Sequence, residues 1–376
     1  MESSAAAWAA PVADAFEGNF RERGDVGAAV CVLIDGVPVV DIAGGDARPG
    51  LPWQHDTLVN VYSVGKAIIA TLLLQLVDHG HIGLDDPIAS VWPEFATGGK
   101  QRATIRHALT HRAGVPAIAE RLNDHHLNDW VHMADALART PAWFEPGSRI
   151  VYHTNTYGHL LGEIVRRVTG QEPGARLAAV LAPLGLGDEM YIGVPTSQLG
   201  RCADVIWAPS SPMGAIDADV LDTLEGDGAM VARGYFNPRG YSSHDLVNTT
   251  AWRQAQVPST NTHATARGVA GFYAALLDGR LLSPGLLAEA TQVQASGPCP
   301  TLGEELAVGL GFVPTSERRP LGTSARSFGH FGTGGALGFG DPDRGVAFGY
   351  VMNHVIPRWQ STRNRALVDA LYRCLP

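Results

Sequence analysis

The sequence predicts a mixed α/β (α+β) fold: one antiparallel sheet built from both ends of the chain, flanked by the terminal helices, with a mainly helical insert between. Three observations predict it. Strand-like runs stand near the start, at residues 27–34 and 38–42, and near the end, at 306–313, 327–331, 336–341 and 346–352. Apolar residues at helical spacing fill the middle. Tight-turn residues join neighbouring strand runs, Asp35-Gly36 early and Pro342-Asp343-Arg344-Gly345 late.

In chain order, residues 5–23 form an amphipathic helix with Trp8, Val12, Phe16 and Phe20 near one face. After the early hairpin comes a helix of about four turns over 63–78. Further helices lie around His107 and at 134–139, 157–168 and 175–184. The stretch 207–262 is rich in Pro, Gly, Ser and Asn and reads as long loops carrying Trp207, Tyr235, Phe236, Tyr241 and Trp252. Loops of that length in a compact enzyme are lids or binding walls. Helices return at 264–277 and 285–291, and 364–372 closes the chain. We expect residues 1–62 and 265–376 to form the sheet subdomain and 63–264 the helical one. Together they make one catalytic unit with its site in the groove between the layers.

The chain has 376 residues, 45% hydrophobic and 17% charged, the composition of a globular protein. A net charge of −9 without basic runs excludes a nucleic-acid binder. The first twenty residues carry no Lys or Arg, so the apolar stretch 5–10 lacks the charged leader of an export signal. The longest apolar run, 67–77, is interrupted by Thr71 and Gln75 and is too short to cross a bilayer. A cytoplasmic location without membrane attachment is expected. Cys31, Cys202, Cys299 and Cys374 are far apart in sequence and form no zinc or redox motif. Only Lys66 and Lys100 are lysines; arginine serves elsewhere. A retained lysine marks a position that needs an amine able to lose its proton.

Ser63-Val64-Gly65-Lys66 opens the apolar helix at 63–78. Residues three apart share a helix face, which puts the amine beside the hydroxyl. A helix N-terminus and a partly buried setting disfavour the ammonium, so the neutral amine can take the serine proton. With 17 serines and 2 lysines in 376 positions, chance gives 17 × 2/376, about 0.09 such pairs. The rival serine signature G-x-S-x-G is incomplete, because Val61 stands before Ser63. Tyr152 is the second candidate: beside a lysine ammonium its phenolate is favoured and can pass a proton to a leaving group. The third is His330-Phe331-Gly332-Thr333, where the Thr333 N–H faces that of Ser63 as an oxyanion hole. His330, Phe331, Gly332, His153, Trp207, Tyr235 and Trp252 are the expected substrate-binding residues.

Ser63 with Lys66, then Tyr152, then an H-x-G on a late strand match in order and spacing the penicillin-recognising serine enzymes. The stretches Leu84-Asp85-Asp86-Pro87, Leu109-Thr110-His111-Arg112-Ala113-Gly114, 158–162 and 329–335 agree. The resemblance runs from about Val26 to Leu371 and is strongest to the β-lactamase-like carboxylesterases of family VIII. It implies the β-lactamase/transpeptidase-like fold and an acyl-enzyme on Ser63. Two departures stand out. Tyr152-His153-Thr154 replaces Tyr-x-Asn, with Asn155 one place late, and His330 replaces the lysine of Lys-Thr-Gly. Losing that cation weakens the hold on a substrate carboxylate and points to uncharged esters.

His107 and His111 have zinc-protease spacing, but Ala108 replaces the required glutamate. His79 with His81 and His125 with His126 lack a third ligand, so no metal or cofactor is expected. The leading expectation is therefore a carboxylesterase acting on a small-molecule ester. An acyltransferase of secondary metabolism on the same fold is the alternative, followed by a β-lactamase or D-aminopeptidase-like amidase. A non-catalytic binding protein ranks last.

Overall fold

The computed structural model describes residues 2–209, 218–242, 246–356 and 361–375. Residues 210–217 and 243–245 of the loop-rich stretch lie outside them. The strands of the main sheet and of the hairpin beside it are β1 (Glu2–Ala5), β2 (Gly27–Ile34), β3 (Val37–Arg48), β4 (Ala295–Cys299), β5 (Glu304–Val308), β6 (Val313–Pro314), β7 (Phe328–Phe331), β8 (Leu337–Asp341) and β9 (Val346–Met352). The main sheet runs β1-β3-β2-β9-β8-β7-β6, every pair antiparallel. A short strand, Leu51–Pro52, pairs with β3 off this path, and β4 with β5 forms a separate hairpin. The chain ends are sewn together where β2 meets β9, with Val30 opposite Tyr350. Asp35 and Gly36 both adopt positive φ, 48° and 78°, the conformation a two-residue hairpin turn demands.

The principal helices are α1 (Ala10–Glu22), α2 (Val64–Asp78), α3 (Trp130–Arg139), α4 (Thr156–Thr169), α5 (Gly226–Phe236), α6 (Ala266–Leu277) and α7 (Thr362–Cys374). Helices α1 and α7 pack on each other, and Tyr372 of α7 stacks on Phe339. Successive strand residues face opposite ways, so the neighbouring Gly338 looks to the other face. There it pairs with Gly349 under α6. A Cβ on Gly338 would strike Tyr273 and Val269, and one on Gly349 the backbone of Ala266. The glycines of the late strands thus seat a helix on the sheet. Helix α2 packs on that side against β7 and, away from the sheet, against α4.

Two expectations need correction. Residues 306–313 are not one strand: the chain breaks between β5 and β6 at Gly309–Gly311, where Gly311 (φ 87°) lies against Ala70 and Tyr157. The 207–262 stretch is not loop alone. It contains α5 and a short helix, Thr250–Gln254, capped by the Thr249 side chain. Glycines 226, 228 and 234 dilute the helical signal of α5. Among the described residues, no helix is long and apolar enough to cross a membrane.

Lys100 is wholly buried and plays a different part from the one its rarity suggested. Its ammonium donates to the carbonyls of Thr97 (2.9 Å), Ala138 (3.0 Å) and Thr140. It also lies over the Phe95 ring, 5.1 Å from the centroid. Burial lowers its pKa only to about 8, so it stays charged at neutral pH and ties the C-terminal end of α3 to the 97–100 turn. A planar guanidinium does not fit three convergent carbonyls. Lys100→Met leaves them without a donor and should lower the unfolding free energy by about 2–4 kcal/mol. Lys100→Arg should not restore it. Urea unfolding checks both, and an unchanged midpoint in either variant would refute this role.

Candidate active site

Ser63 is the N-cap residue of α2, yet its side chain makes no capping bond, which leaves the hydroxyl for other partners. Tyr62 before it has φ 49°, a conformation that costs a non-glycine residue about 1–3 kcal/mol. Gly65 is required by its neighbours, since a Cβ there would collide with the Pro258 carbonyl and Thr262. The 258–262 segment can therefore lie directly on the first turn of α2.

Lys66 points into the space so formed. Its Nζ lies 3.0 Å from Ser63 Oγ, 2.6 Å from the Thr154 carbonyl and 3.1 Å from the Ser259 carbonyl. Burial holds its pKa well below the ordinary lysine range. A neutral amine has two N–H groups and one lone pair. The two carbonyls can only accept, so they take the two N–H groups, and the lone pair is left for the Ser63 proton. The i, i+3 spacing in the sequence is thus realised as a direct contact.

Tyr152 sits on an extended segment fixed from two sides. The Val151 N–H donates to His111 O (3.0 Å), the Tyr152 N–H to Cys299 Sγ (3.3 Å) and the His153 N–H to His111 Nδ1 (3.1 Å). The phenol interacts with the Ser63 side chain, and Lys66 Nζ lies 4.8 Å from the ring centroid. The expected phenolate is not present. Burial pushes the phenol well above its usual range, and Lys66 is itself too desolvated to offer an ammonium charge. Both shifts favour the neutral forms of the two groups around Ser63.

Thr333 follows β7. A Cβ on Gly332 would meet the Val61 carbonyl, so glycine allows the strand end to approach the Val61–Ser63 turn. Among the described residues, neither the Ser63 nor the Thr333 N–H donates to a backbone carbonyl. Both residues line a cavity of about 30 Å³ with Tyr62, Thr154, Trp207 and Tyr235. That volume is about one water molecule. Asn155, Tyr241, Val247 and Thr260 complete its wall.

Of the expected binding residues, Trp207 and Tyr235 line this cavity and the others do not. His330 and Phe331 are 2% and 1% exposed and lie in the strand beneath it. Gly332 serves the backbone approach. His153 is fully buried, its Nδ1 2.6 Å from the Val151 carbonyl. Trp252 is buried in its own short helix beside a surface hollow with Asp124, His125 and Leu127. Apolar packing, which sequence cannot orient, claimed these side chains. Conversely, sequence reasoning missed Asn155, whose Nδ2 donates to the Gly234 carbonyl (2.7 Å) and whose Oδ1 accepts from Thr260 (2.6 Å). It also missed His111 (φ 60°), whose ring lies 4.6 Å from that of Tyr152. Their proximity in sequence to Tyr152 and to the Leu109–Gly114 stretch was the available signal.

The Beta-lactamase family model matches residues 14–372. The chain belongs to the beta-lactamase family. Within it, the chain is 30% identical over 361 residues to Esterase/beta-lactamase LipL of Mycobacterium tuberculosis (strain ATCC 25618 / H37Rv), covering 92% of this chain and 81% of that one. It resembles the crystal structure of a family VIII carboxylesterase with a TM-score of 0.90 at 33% identity, covering 100% of both chains. A penicillin-binding protein homolog from Caulobacter crescentus gives 0.89 at 34% identity, again over 100% of both. The beta-lactamase fold accounts for the sheet sewn from both termini. Among the described residues, no group of three or more side chains could hold a metal ion.

Five histidines near or below the site are buried as neutral rings, His111 among them. Burial lowers His153, His159 and His263 to about 4 and His330 to about 3. In the unfolded chain they titrate near ~6.5. A folded pKa below the unfolded one means that acid favours unfolding. The stability these rings contribute is complete above about 6.5 and is lost as pH falls towards about 4. The urea midpoint should drop steeply across that window, and proton uptake on unfolding should approach five from these groups. A midpoint that stays flat from pH 7 to 4.5 would rule this out.

Proposed function

We propose that this beta-lactamase-family protein is a carboxylesterase-type serine hydrolase that works through an acyl-enzyme on Ser63. The observation that carries the reading is Lys66 Nζ, desolvated and held by two carbonyls, with its remaining valence 3.0 Å from Ser63 Oγ. The esterase relative and the carboxylesterase structure support the same chemistry. Ser63 Oγ attacks the ester carbonyl and its proton moves to Lys66. The Ser63 and Thr333 amides receive the negative charge that develops on the carbonyl oxygen. Tyr152 protonates the departing alkoxide and is reprotonated by the Lys66 ammonium. A water molecule then repeats the sequence, freeing the acid and returning a proton to Ser63.

The substrate we infer is uncharged around the scissile bond. His330, standing where a lysine would attract a carboxylate, is held neutral by burial with a pKa of about 3. Arg319, whose charge reaches Tyr152 and His330, is ion-paired with Glu304. This disfavours β-lactams and D-amino-acid peptides, and slow nitrocefin hydrolysis relative to esters is the expected comparison. One observation favours a second reading, acyl transfer to an alcohol: the cavity at Ser63 is walled by the rings of Tyr62, Trp207, Tyr235 and Tyr241 and holds about one water. Time-resolved p-nitrophenol release from p-nitrophenyl butyrate separates the two. Sustained turnover supports hydrolysis, and a stoichiometric burst followed by a stall supports transfer.

Ser63→Ala should lower kcat by about 10⁴–10⁶, and Tyr152→Phe by about 10²–10⁴. Retained turnover in Ser63→Ala would end the proposal. The pH profile tests the state of Lys66. The base must be unprotonated, so kcat/KM falls as pH drops through the Lys66 pKa, which burial sets well below the lysine range. The rate should therefore reach its plateau well short of the ordinary lysine value of ~10.4. A rate that climbs tenfold per pH unit all the way to that value would mean an ordinary ammonium at this position.

A further inference from the structure

The turn that carries the Thr333 amide is held from behind by the C-terminal helix. Residues 333–335 form one short turn between β7 and β8, with Gly334 and Gly335 at φ 87° and 119°. The Gly334 carbonyl accepts from Arg363 Nη2 and the Gly335 carbonyl from Asn364 Nδ2 (2.9 Å), both on the first turn of α7. A Cβ on Gly335 would strike Ser361 Oγ, so glycine lets α7 start directly against the turn. Arg363 and Asn364 are each 1% exposed. Arg363 Nη1 pairs with Asp25 (2.7 Å) and also donates to the His354 carbonyl (2.9 Å). The second oxygen of Asp25 accepts from the Tyr350 hydroxyl (2.6 Å). The cation is anchored in this way, and Nη2 is left to the turn.

These bonds run in series towards the reacting atoms. One peptide unit carries the Gly334 carbonyl and the Gly335 N–H. Its carbonyl accepts from Arg363, and its N–H donates to the Gly332 carbonyl (3.1 Å). The next unit carries that Gly332 carbonyl and the Thr333 N–H, the donor that meets no backbone carbonyl among the described residues. The Gly332 N–H donates to the Ala336 carbonyl (2.7 Å) and closes the turn. Each bond fixes the plane of the next peptide, and hydrogen bonds in series polarise one another. We infer that Arg363 is a positioning residue for the oxyanion: through two peptide units it orients the Thr333 N–H and strengthens it as a donor, while Asn364 fixes the far side of the turn. The inference rests on the acyl-enzyme reading above, in which Thr333 receives the charge on the carbonyl oxygen. Stability alone does not account for the charge, because a buried ion pair is often replaceable by apolar side chains at no cost. What an apolar pair does not supply is a fixed donor to the Gly334 carbonyl. A dipole held in place beforehand needs no reorganisation as the negative charge develops.

The test removes the cation together with its counter-ion, so that no uncompensated charge is buried. The double variant Asp25→Asn with Arg363→Met should lower kcat for p-nitrophenyl butyrate about tenfold and leave KM within about twofold. That is less than the ~10²–10³ lost when an oxyanion donor is removed outright. Rates are counted per Ser63 labelled to completion by a fluorophosphonate, which discounts misfolded protein. The readout specific to the oxyanion is inhibition by propyl trifluoromethyl ketone. Ser63 Oγ adds to its carbonyl carbon, the serine proton passes to Lys66, and the carbonyl oxygen becomes an anion facing the Thr333 amide, with no group leaving. Its inhibition constant should rise by about the factor by which kcat falls. If the double variant does not fold, Asn364→Ala keeps the ion pair and frees only the Gly335 carbonyl. It should shift both quantities in the same directions by about threefold. Lower thermal stability with kcat per labelled site and the inhibition constant both unchanged would overturn the inference, leaving the Ser63 chemistry intact. A rise in KM alone would overturn it as well. Absence of both labelling and turnover in the unmodified protein would instead remove the acyl-enzyme reading itself.

Discussion

Everything at this site depends on keeping one lysine neutral. Desolvating an amine disfavours its ammonium, and Lys66 is surrounded on all sides by packed chain. The first turn of α2, the carbonyl of Thr154 and the carbonyl of Ser259 must converge within hydrogen-bond distance of one nitrogen. That convergence explains features that look unrelated along the chain. Gly65 has no side chain because the 258–262 segment must lie on it. Asn155 is tied to Gly234 and Thr260, and its carbonyl accepts from the Ser259 hydroxyl, so the two carbonyl-bearing segments are stitched to each other. The same arrangement serves the ammonium formed during reaction, because the carbonyls that hold two N–H groups remain in place when a third is added.

The sheet supplies the fixed edge against which this cluster is registered. Strand β7 must place Thr333 beside Ser63, and it does so through Gly332, whose missing Cβ admits the Val61 carbonyl. Behind it, Gly338 and Gly349 bring α6 close to the sheet. The glycine-rich late strands therefore do two jobs, on neighbouring strands and against different elements. The same close packing favours neutral groups at the resting site. Histidines 111, 153 and 330 approach Lys66 as uncharged rings and add no positive charge that would oppose proton uptake by the amine.

Much of this was legible in the sequence, and the limits are physical. Strands 27–34 and 346–352 could be bounded to the residue, because apolar runs between turn signals have only one way to lie in a covered sheet. The Ser63–Lys66 contact was legible because helix geometry fixes a three-residue spacing. Tyr152 was located by its pattern, but its protonation state was misjudged, because desolvation depends on neighbours such as Cys299, distant in sequence. Trp252 and His153 were assigned to the site because aromatic and imidazole side chains suit binding. Nothing in sequence says which way such a side chain turns, and here both turn into the core. The break at Gly309–Gly311 and helix α5 were hidden for a related reason: tertiary contacts, not local propensity, decide them.

The two lysines sharpen the point about what a residue type can reveal. Both are buried, and both Nζ atoms have three oxygen neighbours. Around Lys100 all three are carbonyls, which only accept, so the nitrogen needs three protons and holds its charge despite burial. Around Lys66 one of the three is a hydroxyl, which can give a proton as well as receive one. That single exchange of a carbonyl for a hydroxyl turns a structural clamp into a base. The scarcity of lysine flagged both positions correctly as special. What separates them is the donor capacity of one neighbour, and in the sequence that distinction is carried by Ser63 alone.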